Sequence, residues 1–420
     1  MEAKFFQENR LRYFNRIQDN SLTLLYSGRV LQRTHDQEFP FETDKNFYYL
    51  TGINQANVIF ALVKNGSERR EVLFIEENDP ILSKWVGRKL TINEAQRISG
   101  IEEIRYIDDF DNFLFSLFNS TRLNTYRVTN LYLNLERRNL LGYTNWALEF
   151  IAGFRRNYPE IQVLNMREIV IGLRMIKQEE EIGRIKKAIS VTQKGIEDIL
   201  KVVRPGMYEY QIDAYFDFAI KYRDNCSLAF DTIVASGKNG TVLHYITKSD
   251  IIKEDELVLL DLGARSGFYV SDISRTIPAN GRFTLRQREV YSEVLTVNKK
   301  CIEYLKPGLT WAEFNRYSRE LLLSGLKRLG LIEKDEDLEK YYYHSIGHFI
   351  GLDTHDPGLA EAEFKPGMVL TVEPGIYIEE EKIGVRIEDN VLITKDGTEN
   401  LSKNIIKEID DIERFMIAAK

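Results

Sequence analysis

A helix–Pro-Gly–helix unit that occurs twice constrains the fold of this 420-residue chain more than any other feature. The first copy begins with KQEEEIGRIKKAISVTQKGIEDILKVV, in which isoleucines recur at helical spacing and acidic residues fill the first turn, where they suit the helix dipole. The pattern stops at Pro205-Gly206, and a second helical pattern, YEYQIDAYFDFAIKY, follows it. The same order recurs around Pro307-Gly308 in CIEYLKPGLTWAEFNRYSRELLLSGL. The repeat therefore predicts a domain built of two similar halves, beginning near residue 166.

The region before the repeat, residues 1–165, alternates between strand and helix patterns. Residues 5–18 predict a helix, residues 21–28 a buried strand, and NVIFALVKNG with REVLFIE a hairpin that turns at Asn65-Gly66. INEAQRISG and FDNFLFSLF are helical in pattern, and TNLYLNL is strand-like. This alternation predicts an α/β domain. Since no glycine-rich loop joins a strand to a helix, we do not expect a nucleotide site.

Composition excludes several classes of protein. With 43% hydrophobic and 29% charged residues, the chain is expected to be globular. The net charge of -7 argues against a nucleic-acid partner, which usually meets a concentrated basic patch. Cys226 and Cys301 are the only cysteines, and neither has a second one nearby. We therefore expect neither a disulfide framework nor a zinc–thiolate site, as is typical of a reducing cytosol.

The first twenty residues do not have the pattern of a secretion signal, so we do not expect secretion. MEAKFFQENRLRYFNRIQDN alternates charged and apolar residues and lacks a continuous apolar core. No stretch elsewhere approaches the length of a transmembrane span. We expect a soluble cytoplasmic protein without a membrane partner.

Acidic residues interrupt apolar, strand-like runs after both copies of the repeat. Asp261 ends LVLLD, Glu373 ends VLTVE, and Glu388 lies inside GVRIEDNVLIT. A carboxylate buried in such a run is costly unless a cation compensates it. Together with Asp272 and His348, these residues form a set suited to hard divalent cations. The sequence therefore predicts a metal site between the two halves of the domain.

Local patterns place these ligands on strands. GARSGFYVS predicts the tip of a hairpin whose strands bring Asp261 and Asp272 together, while Glu373 closes a strand and Glu388 occupies a further one. Four carboxylates can hold two ions about 3.5–4 Å apart with a bridging hydroxide as the nucleophile. One imidazole and no thiolate favours manganese, iron(II), cobalt or magnesium over structural zinc.

Histidines concentrate in the same region. His344, His348 and His355 fall within twelve residues, and the two glycines of SIGHFIGL make that run a poor helix. Either the run is a buried strand with incidental histidines, or one imidazole is a ligand and the others orient substrate or carry protons. His244 follows turn residues that could place it at a pocket rim, whereas His35 is predicted to be a structural or surface residue.

Four motifs, SDISRT, GLDTHD, TVEPGIY and RIEDN, make the last ~245 residues resemble the pita-bread metallopeptidases, the family of methionine aminopeptidase, prolidase and aminopeptidase P. The N-terminal domain, with FPFETDKNFYYLTGIN, is similar to that of the proline-directed branch. The resemblance implies a non-catalytic α/β domain over residues 1–165. It also implies an α+β pita-bread catalytic domain with internal pseudo-two-fold symmetry over residues 166–420.

The resemblance also assigns the metal ligands. It implies that Asp261 binds one ion, that His348 and Glu373 bind the other, and that Asp272 and Glu388 bridge the two. The expected cofactor is two divalent ions, Mn(II) above all, with Co(II), Fe(II) or Zn(II) as alternatives.

Three residues receive catalytic roles from the resemblance. Glu373 is expected to carry a proton from the attacking water to the leaving proline nitrogen. His355 is expected to stabilise the tetrahedral oxyanion together with a metal, and His244 to contact the substrate near the scissile bond.

Three further residues are expected to line the substrate side of the site or support its ligands. His344 would help to shape a proline pocket, and Arg386 would pair with a ligand carboxylate. Tyr377 is a weaker candidate for the same supporting role.

The resemblance implies an Xaa-Pro aminopeptidase acting on peptides, in a dimer or larger homo-oligomer. The alternatives are an Xaa-Pro dipeptidase, a non-catalytic peptide-binding relative, and metal-free C–N hydrolysis of the creatine type. The intact ligand set opposes the last two. Because a dipeptidase must recognise a free carboxylate, for which proteins favour arginine, the short acidic segment PGLAEAEFKPGM (Pro357 to Met368), whose only cation is Lys365, favours the aminopeptidase.

Overall fold

In a computed structural model, the chain is described over residues 1–119, 127–136, 145–224 and 226–419. It divides into two compact units, residues 1–174 and 175–420. The domain boundary predicted at 165/166 stays a prediction. Among the described residues, no helix combines the length and apolar character that crossing a membrane requires.

The N-terminal unit is an α/β unit, as predicted. Its helices are α1 (Ala3–Phe14), α2 (Lys45–Thr51), α3 (Ser83–Val86), α4 (Ile92–Ser99), α5 (Phe110–Phe118), α6 (Trp146–Asn157) and α7 (Arg167–Arg174). Its strands are β1 (Ser21–Tyr26), β2 (Ile59–Asn65), β3 (Glu68–Ile75), β4 (Glu103–Tyr106), β5 (Asn130–Leu133) and β6 (Gln162–Asn165).

The six strands form one mixed sheet in the order β4-β3-β2-β1-β5-β6. Strands β1, β2 and β3 pair antiparallel, whereas β4, β5 and β6 join by parallel pairing. The predicted β2–β3 hairpin is confirmed, with Gly66 in the left-handed region at φ 59°. The prediction of a helix over 5–18 was wrong at its end. Helix α1 stops at Phe14 because the chain must turn into β1, with Asn20 at φ 53°.

The C-terminal unit contains the predicted pair of helical hairpins. Its helices are α8 (Glu179–Val202), α9 (Glu209–Asp224), α10 (Leu285–Tyr304), α11 (Trp311–Arg328) and α12 (Ile409–Ala418). Pro-Gly turns connect α8 to α9 and α10 to α11, and both glycines, Gly206 and Gly308, adopt φ 89°. An equal left-handed turn at equivalent places confirms that the helix–Pro-Gly–helix unit is repeated in three dimensions.

Short antiparallel strands follow each helical hairpin. The first group is β7 (Ser227–Leu228), β8 (Ile233–Ser236), β9 (Leu257–Leu262), β10 (Ala264–Ser266), β11 (Tyr269–Val270) and β12 (Ile273–Pro278). The second group is β13 (Val369–Val372), β14 (Gly375–Ile378), β15 (Ile383–Arg386), β16 (Asp389–Thr394) and β17 (Gly397–Asn400). The sheets have the orders β12-β9-β8, β11-β10-β7, β13-β16-β17 and β14-β15.

Backbone contacts join the two groups of strands. Glu388 N donates a hydrogen bond to Ser274 O at 3.0 Å, so the connection from β15 to β16 lies against β12. Asn390 extends this junction, because its side chain donates to Asp272 O at 2.7 Å and accepts from Asp272 N at 3.2 Å. Residues far apart in the chain therefore meet where the two halves of the unit touch.

Candidate metal centre

The first half of the C-terminal unit supplies two aspartates from a kinked hairpin. Asp261 lies in β9 opposite Ser274 of β12, and Asp272 directly precedes β12. At the kink, a Cβ on Gly263 would lie 1.9 Å from Ser271 O, so only glycine allows the backbones to approach this closely. The hairpin thus brings both carboxylates to one end of the β9–β12 pair.

The second half supplies ligands from places where strands end. Glu373 directly follows β13, and its N–H donates to Ile346 O at 2.9 Å. Glu388 lies between β15 and β16, so the prediction that it occupies a strand was wrong. Its N–H bonds across to β12 instead of continuing a ladder, which breaks the strand at this residue. His348 lies in irregular backbone, neither helix nor strand, next to an isolated bridge between Phe349 and Leu370.

The five side chains converge on one place. We call this group, which consists of Asp261, Asp272, His348, Glu373 and Glu388, the carboxylate–histidine cluster. His348 Nε2 lies 3.4 Å from Asp272 Oδ2 and 3.6 Å from Glu373 Oε1. Ligand atoms lie within 4.8 Å of one another in the trios Asp261–Asp272–Glu388, His348–Glu373–Glu388 and Asp272–His348–His355. Since the first two trios share Glu388, the arrangement suits two neighbouring ions.

His348 presents a defined nitrogen to the carboxylates. Its Nδ1 lies 3.0 Å from Phe349 O, and a carbonyl can only accept, so Nδ1 carries the proton. Nε2 is therefore the ring nitrogen that faces Asp272 and Glu373. In its neutral form, an imidazole held in this way has the tautomer that a metal ligand needs.

The carboxylates repel one another in the absence of an added cation. Burial, and then the charges of Asp261 and Glu373, raise the pKa of Asp272 well above its usual value. Burial and Asp272 likewise raise the pKa of Glu388, and burial raises that of Glu373. Among the described residues, the buried Asp261 Oδ1 and Glu388 Oε1 have no hydrogen-bond partner. Oxygens of this kind fit divalent cations, whose charge would lower the raised pKa values.

Arg386 holds the carboxylates of the cluster in position through hydrogen bonds. Its Nη2 donates to Asp261 Oδ2 at 2.6 Å, and its Nε donates to Ser274 Oγ at 2.7 Å. Ser274 in turn donates to Glu388 Oε2 at 2.9 Å. One buried guanidinium therefore orients carboxylates from both halves of the unit.

A hydrogen-bonded chain continues from Arg386 to His344. Arg386 Nη1 donates to Tyr377 Oη at 3.2 Å, and the Tyr377 hydroxyl donates to His344 Nε2 at 2.9 Å. His344 Nδ1 donates to Ser345 O at 2.7 Å, so both ring nitrogens are engaged. Burial, helped by the charge of Arg386, lowers the pKa of His344 to about 4. At neutral pH His344 is a fixed, uncharged ring.

The remaining histidines divide between the site and the surface. The ring centroids of His355 and His348 lie 4.2 Å apart, and burial followed by the charge of His348 lowers the pKa of His355. His244 is exposed, yet its charge contributes to the lowered pKa of both His344 and His355, so it faces the same site. His35 is exposed in the N-terminal unit, as predicted.

The sequence reading missed several polar residues that hold the ligands in place. Ser274 and Asn390 each lie two positions after a ligand, and Thr371 lies two positions before Glu373. The Thr371 hydroxyl donates to Glu373 Oε1 at 3.3 Å and accepts from His348 N at 3.0 Å. In extended backbone, residues two apart point to the same side, so this spacing could have identified all three.

Comparisons with known proteins agree along the whole chain. The model described as Metallopeptidase family M24 matches residues 183–395, and that described as Aminopeptidase P, N-terminal domain, matches residues 6–126. The chain is 34% identical over 433 residues to Xaa-Pro aminopeptidase of Haemophilus influenzae, covering 98% of this chain and 96% of that protein.

Two solved structures extend the similarity to the fold. A candidate aminopeptidase P from Bacillus anthracis is 46% identical with a TM-score of 0.97, and the match covers 100% of this chain and 99% of the other. Aminopeptidase P from Escherichia coli with the inhibitor Pro-Leu is 28% identical with a TM-score of 0.91 and the same coverage. Fold and sequence therefore indicate the same relatives.

Proposed function

We propose that the carboxylate–histidine cluster binds the metal for the reaction of the family to which the chain belongs, metallopeptidase family M24. The chain removes the N-terminal residue from peptides with proline in second position. The predicted family is confirmed, as is the fold class of an α/β N-terminal domain with a pita-bread catalytic domain. The chemistry depends on divalent metal ions.

We propose that the cofactor is a pair of ions, held in the arrangement that the family resemblance implies. Asp261 would bind one ion, His348 with Glu373 the other, and Asp272 with Glu388 both. The observation that carries this proposal is the excess of buried carboxylates, two of whose oxygens, Asp261 Oδ1 and Glu388 Oε1, find no hydrogen-bond partner within the part of the chain that the structure describes. Oxygen-rich coordination with one imidazole favours Mn(II).

Bound divalent ions supply an acidified water as nucleophile and a Lewis acid for the scissile carbonyl. Glu373 would accept a proton from that water and return it to the proline nitrogen, because its carboxylate belongs to the cluster. Thr371 donates a hydrogen bond to Oε1 of this carboxylate and so fixes its orientation. Glu373 therefore has the location of a proton carrier.

The other histidines act on the substrate. His355, exposed to solvent beside His348, would donate to the carbonyl oxygen as negative charge develops on it. His244, exposed at the rim, would contact the peptide near the scissile bond.

His344 is suited to a proline pocket. Both of its ring nitrogens are engaged within the protein, and its ring packs edge-on against Tyr342 and Tyr377 at centroid distances of 4.6 and 5.6 Å. A neutral ring of this kind offers apolar surface and demands no N–H from the substrate. Proline, whose nitrogen lacks a hydrogen in the peptide, satisfies that condition.

The product side of the site favours peptides longer than two residues. In the segment 357–368, Lys365 is exposed and is the only cation, while Glu361 and Glu363 are exposed acids. A free carboxylate one residue after the scissile bond would meet no arginine there. A cytoplasmic location and a homo-oligomer, dimer or larger, remain predictions from the sequence.

The test compares products from Gly-Pro and Gly-Pro-Gly-Gly with added Mn(II). We expect release of glycine from the tetrapeptide with the higher kcat/KM. A clear preference for the dipeptide would identify a dipeptidase without changing the metal chemistry. No turnover of either peptide by the metal-loaded protein would contradict the proposed role of the cluster.

A further inference from the structure

A buried ion pair beside the site has no part in the reaction described above. Lys177 Nζ lies 3.0 Å from Asp356 Oδ2, and each side chain is only 1% exposed. Lys177 lies two residues before α8, whereas Asp356 directly follows His355. Burying a charged pair is costly unless its geometry is well satisfied, so such a pair at this place needs an explanation.

Asp356 closes the loop that connects His348 to His355. Its N–H donates to Phe349 O at 2.9 Å, and its Oδ1 accepts from Asp353 N at 3.2 Å. The two imidazoles at the ends of this loop lie 4.2 Å apart. One carboxylate therefore holds the loop closed through Oδ1 and receives Lys177 through Oδ2.

The loop is packed closely around the ion pair. A Cβ on Gly351 would lie 2.7 Å from Asp356 Oδ2 and 3.0 Å from Lys177 Cε. Gly351 O also accepts from Val270 N at 3.1 Å, which attaches the loop to β11. The backbone at Gly351 therefore lies so close to the ion pair that a side chain at this position would displace Asp356 or Lys177.

Lys177 is itself anchored. Its N–H donates to Gly367 O at 2.8 Å, just before the strand that leads to Glu373. Glu181, in the first turn of α8, accepts from Gln178 N at 2.9 Å and from the Tyr269 hydroxyl at 2.9 Å. Buried polar contacts therefore connect three parts of the unit: the start of α8, strand β11 and the loop from His348 to His355.

We propose that Lys177 and Asp356 are positioning residues, whose ion pair fixes the loop that holds His355 beside His348. This inference rests on the role proposed above for His355. Removing the pair should leave metal binding intact and reduce turnover, because a displacement of about 1 Å at a reacting group can lower the rate by about 100-fold.

The test uses two variants, each also made in a His355→Ala background. Lys177→Met removes the cation, and Asp356→Asn removes the anion while keeping the side-chain size. In the otherwise natural enzyme with Mn(II), we expect kcat to fall about 10- to 100-fold with little change in KM. In the His355→Ala background we expect no further loss of kcat, because the residue through which the pair acts is already gone.

A second readout does not depend on activity. Amide hydrogen exchange over residues 349–356 should accelerate in both variants, while exchange in the centre of α8 should not change. Arg286→Met provides a control, because Arg286 pairs with Glu381 in the same unit with both side chains about one-third exposed. That variant should keep kcat and the exchange of residues 349–356.

The outcomes separate the two proposals. An equal loss of kcat with and without His355 would overturn the positioning role, as would unchanged exchange over residues 349–356. If His355→Ala alone kept full kcat, the role proposed for His355 would fail, and the exchange data would still report whether the pair holds the loop. Should Lys177→Met not fold, Asp356→Asn decides the question alone.

Discussion

Two groups of buried charge lie next to each other in the C-terminal unit, and they are compensated in opposite ways. Around Asp389, Arg275 Nη2 donates at 2.9 Å, Lys407 Nζ is in contact, and Ser402 Oγ donates at 2.9 Å. We call Arg275, Asp389 and Lys407 the Asp389 cluster. In the carboxylate–histidine cluster, one residue away at Glu388, carboxylates outnumber cations.

The pKa values follow this difference. Burial tends to raise the pKa of Asp389, but the charges of Arg275 and Lys407 lower it to about 2. Among the described residues, no arginine or lysine side chain pairs with the Glu388 carboxylate, and burial with the charge of Asp272 raises its pKa. The fold thus supplies its own cations where a buried acid is structural. The excess of acids at the neighbouring cluster indicates a place for cations from solution.

The largest effect should come from Glu388→Gln. The change removes a charge shared by two of the three trios of ligand atoms but keeps an acceptor for Ser274. We expect kcat below about one-thousandth of the natural value, because the proposed ligand to both ions is lost. Glu399→Gln, at an exposed acid paired with Lys186, is the control and should keep full activity. Normal turnover by Glu388→Gln would contradict the proposed bridging role.

Asp389→Asn should change stability and leave metal binding intact. It leaves Arg275 and Lys407 buried near each other without the carboxylate that compensates them. We expect the free energy of unfolding to fall by about 3–5 kcal/mol. Denaturant unfolding of the metal-loaded protein, with elemental analysis of the same sample, checks both parts. Loss of metal without loss of stability would mean that the two clusters are not distinct in role.

Substitutions of the site histidines should distinguish the residue that binds metal from the residues that contact substrate. We expect His355→Ala and His244→Ala to retain metal and to lose about 10²–10³ in kcat, as removing an oxyanion contact does. His348→Ala should instead lose metal occupancy. His35→Ala, at an exposed histidine of the N-terminal unit, is the control. Equal metal content in the three site variants would refute this division.

The two clusters should give opposite dependences of stability on pH. In the metal-free protein, Asp272, Glu373 and Glu388 have pKa values raised above the unfolded value of about 4. The native state therefore binds more protons, and its stability should fall as pH rises above about 4.

Asp389 has the reverse effect. Its pKa of about 2 is below the unfolded value, so its contribution is present above about pH 4 and is lost as pH falls towards 2. Because the lowered pKa of His344 makes stability rise with pH below about 6.5, the fall due to the acids is measured above that range. Thermal unfolding of metal-free protein between about pH 7 and 8 should show decreasing stability, and Mn(II) should remove the decrease. If the stability of the metal-free protein rose with pH over this range, the pKa values of Asp272, Glu373 and Glu388 would not be raised in the folded protein.

Sequence patterns among neighbouring residues predicted most of the fold. The paired Pro-Gly turns at Gly206 and Gly308 and the hairpin at Gly66 depend on residues close in sequence, and all three appear in the structure. The end of α1 and the strand break at Glu388 did not follow from local pattern. The first depends on the turn into β1, and the second on a hydrogen bond from Glu388 N to Ser274 O across the two halves.

In the site, too, contacts between residues distant in sequence could not be predicted from local pattern. The sequence singled out five residues because acids and one histidine interrupt apolar runs, and the structure brings their ligand atoms together. The Lys177–Asp356 pair spans 179 residues of sequence and carries no periodic signal. Single-sequence reasoning identifies chemically unusual residues, but it does not find partners that meet only through tertiary packing.

The number of divalent ions bound per chain is the decisive measurement for the carboxylate–histidine cluster. The natural protein, dialysed against Mn(II) and then freed of unbound metal, should contain two ions per chain by elemental analysis. Excess chelator should abolish turnover of Gly-Pro-Gly-Gly, and added Mn(II) or Co(II) should restore it. Full turnover by metal-stripped protein in excess chelator would contradict the claim that the carboxylate–histidine cluster works by holding divalent cations.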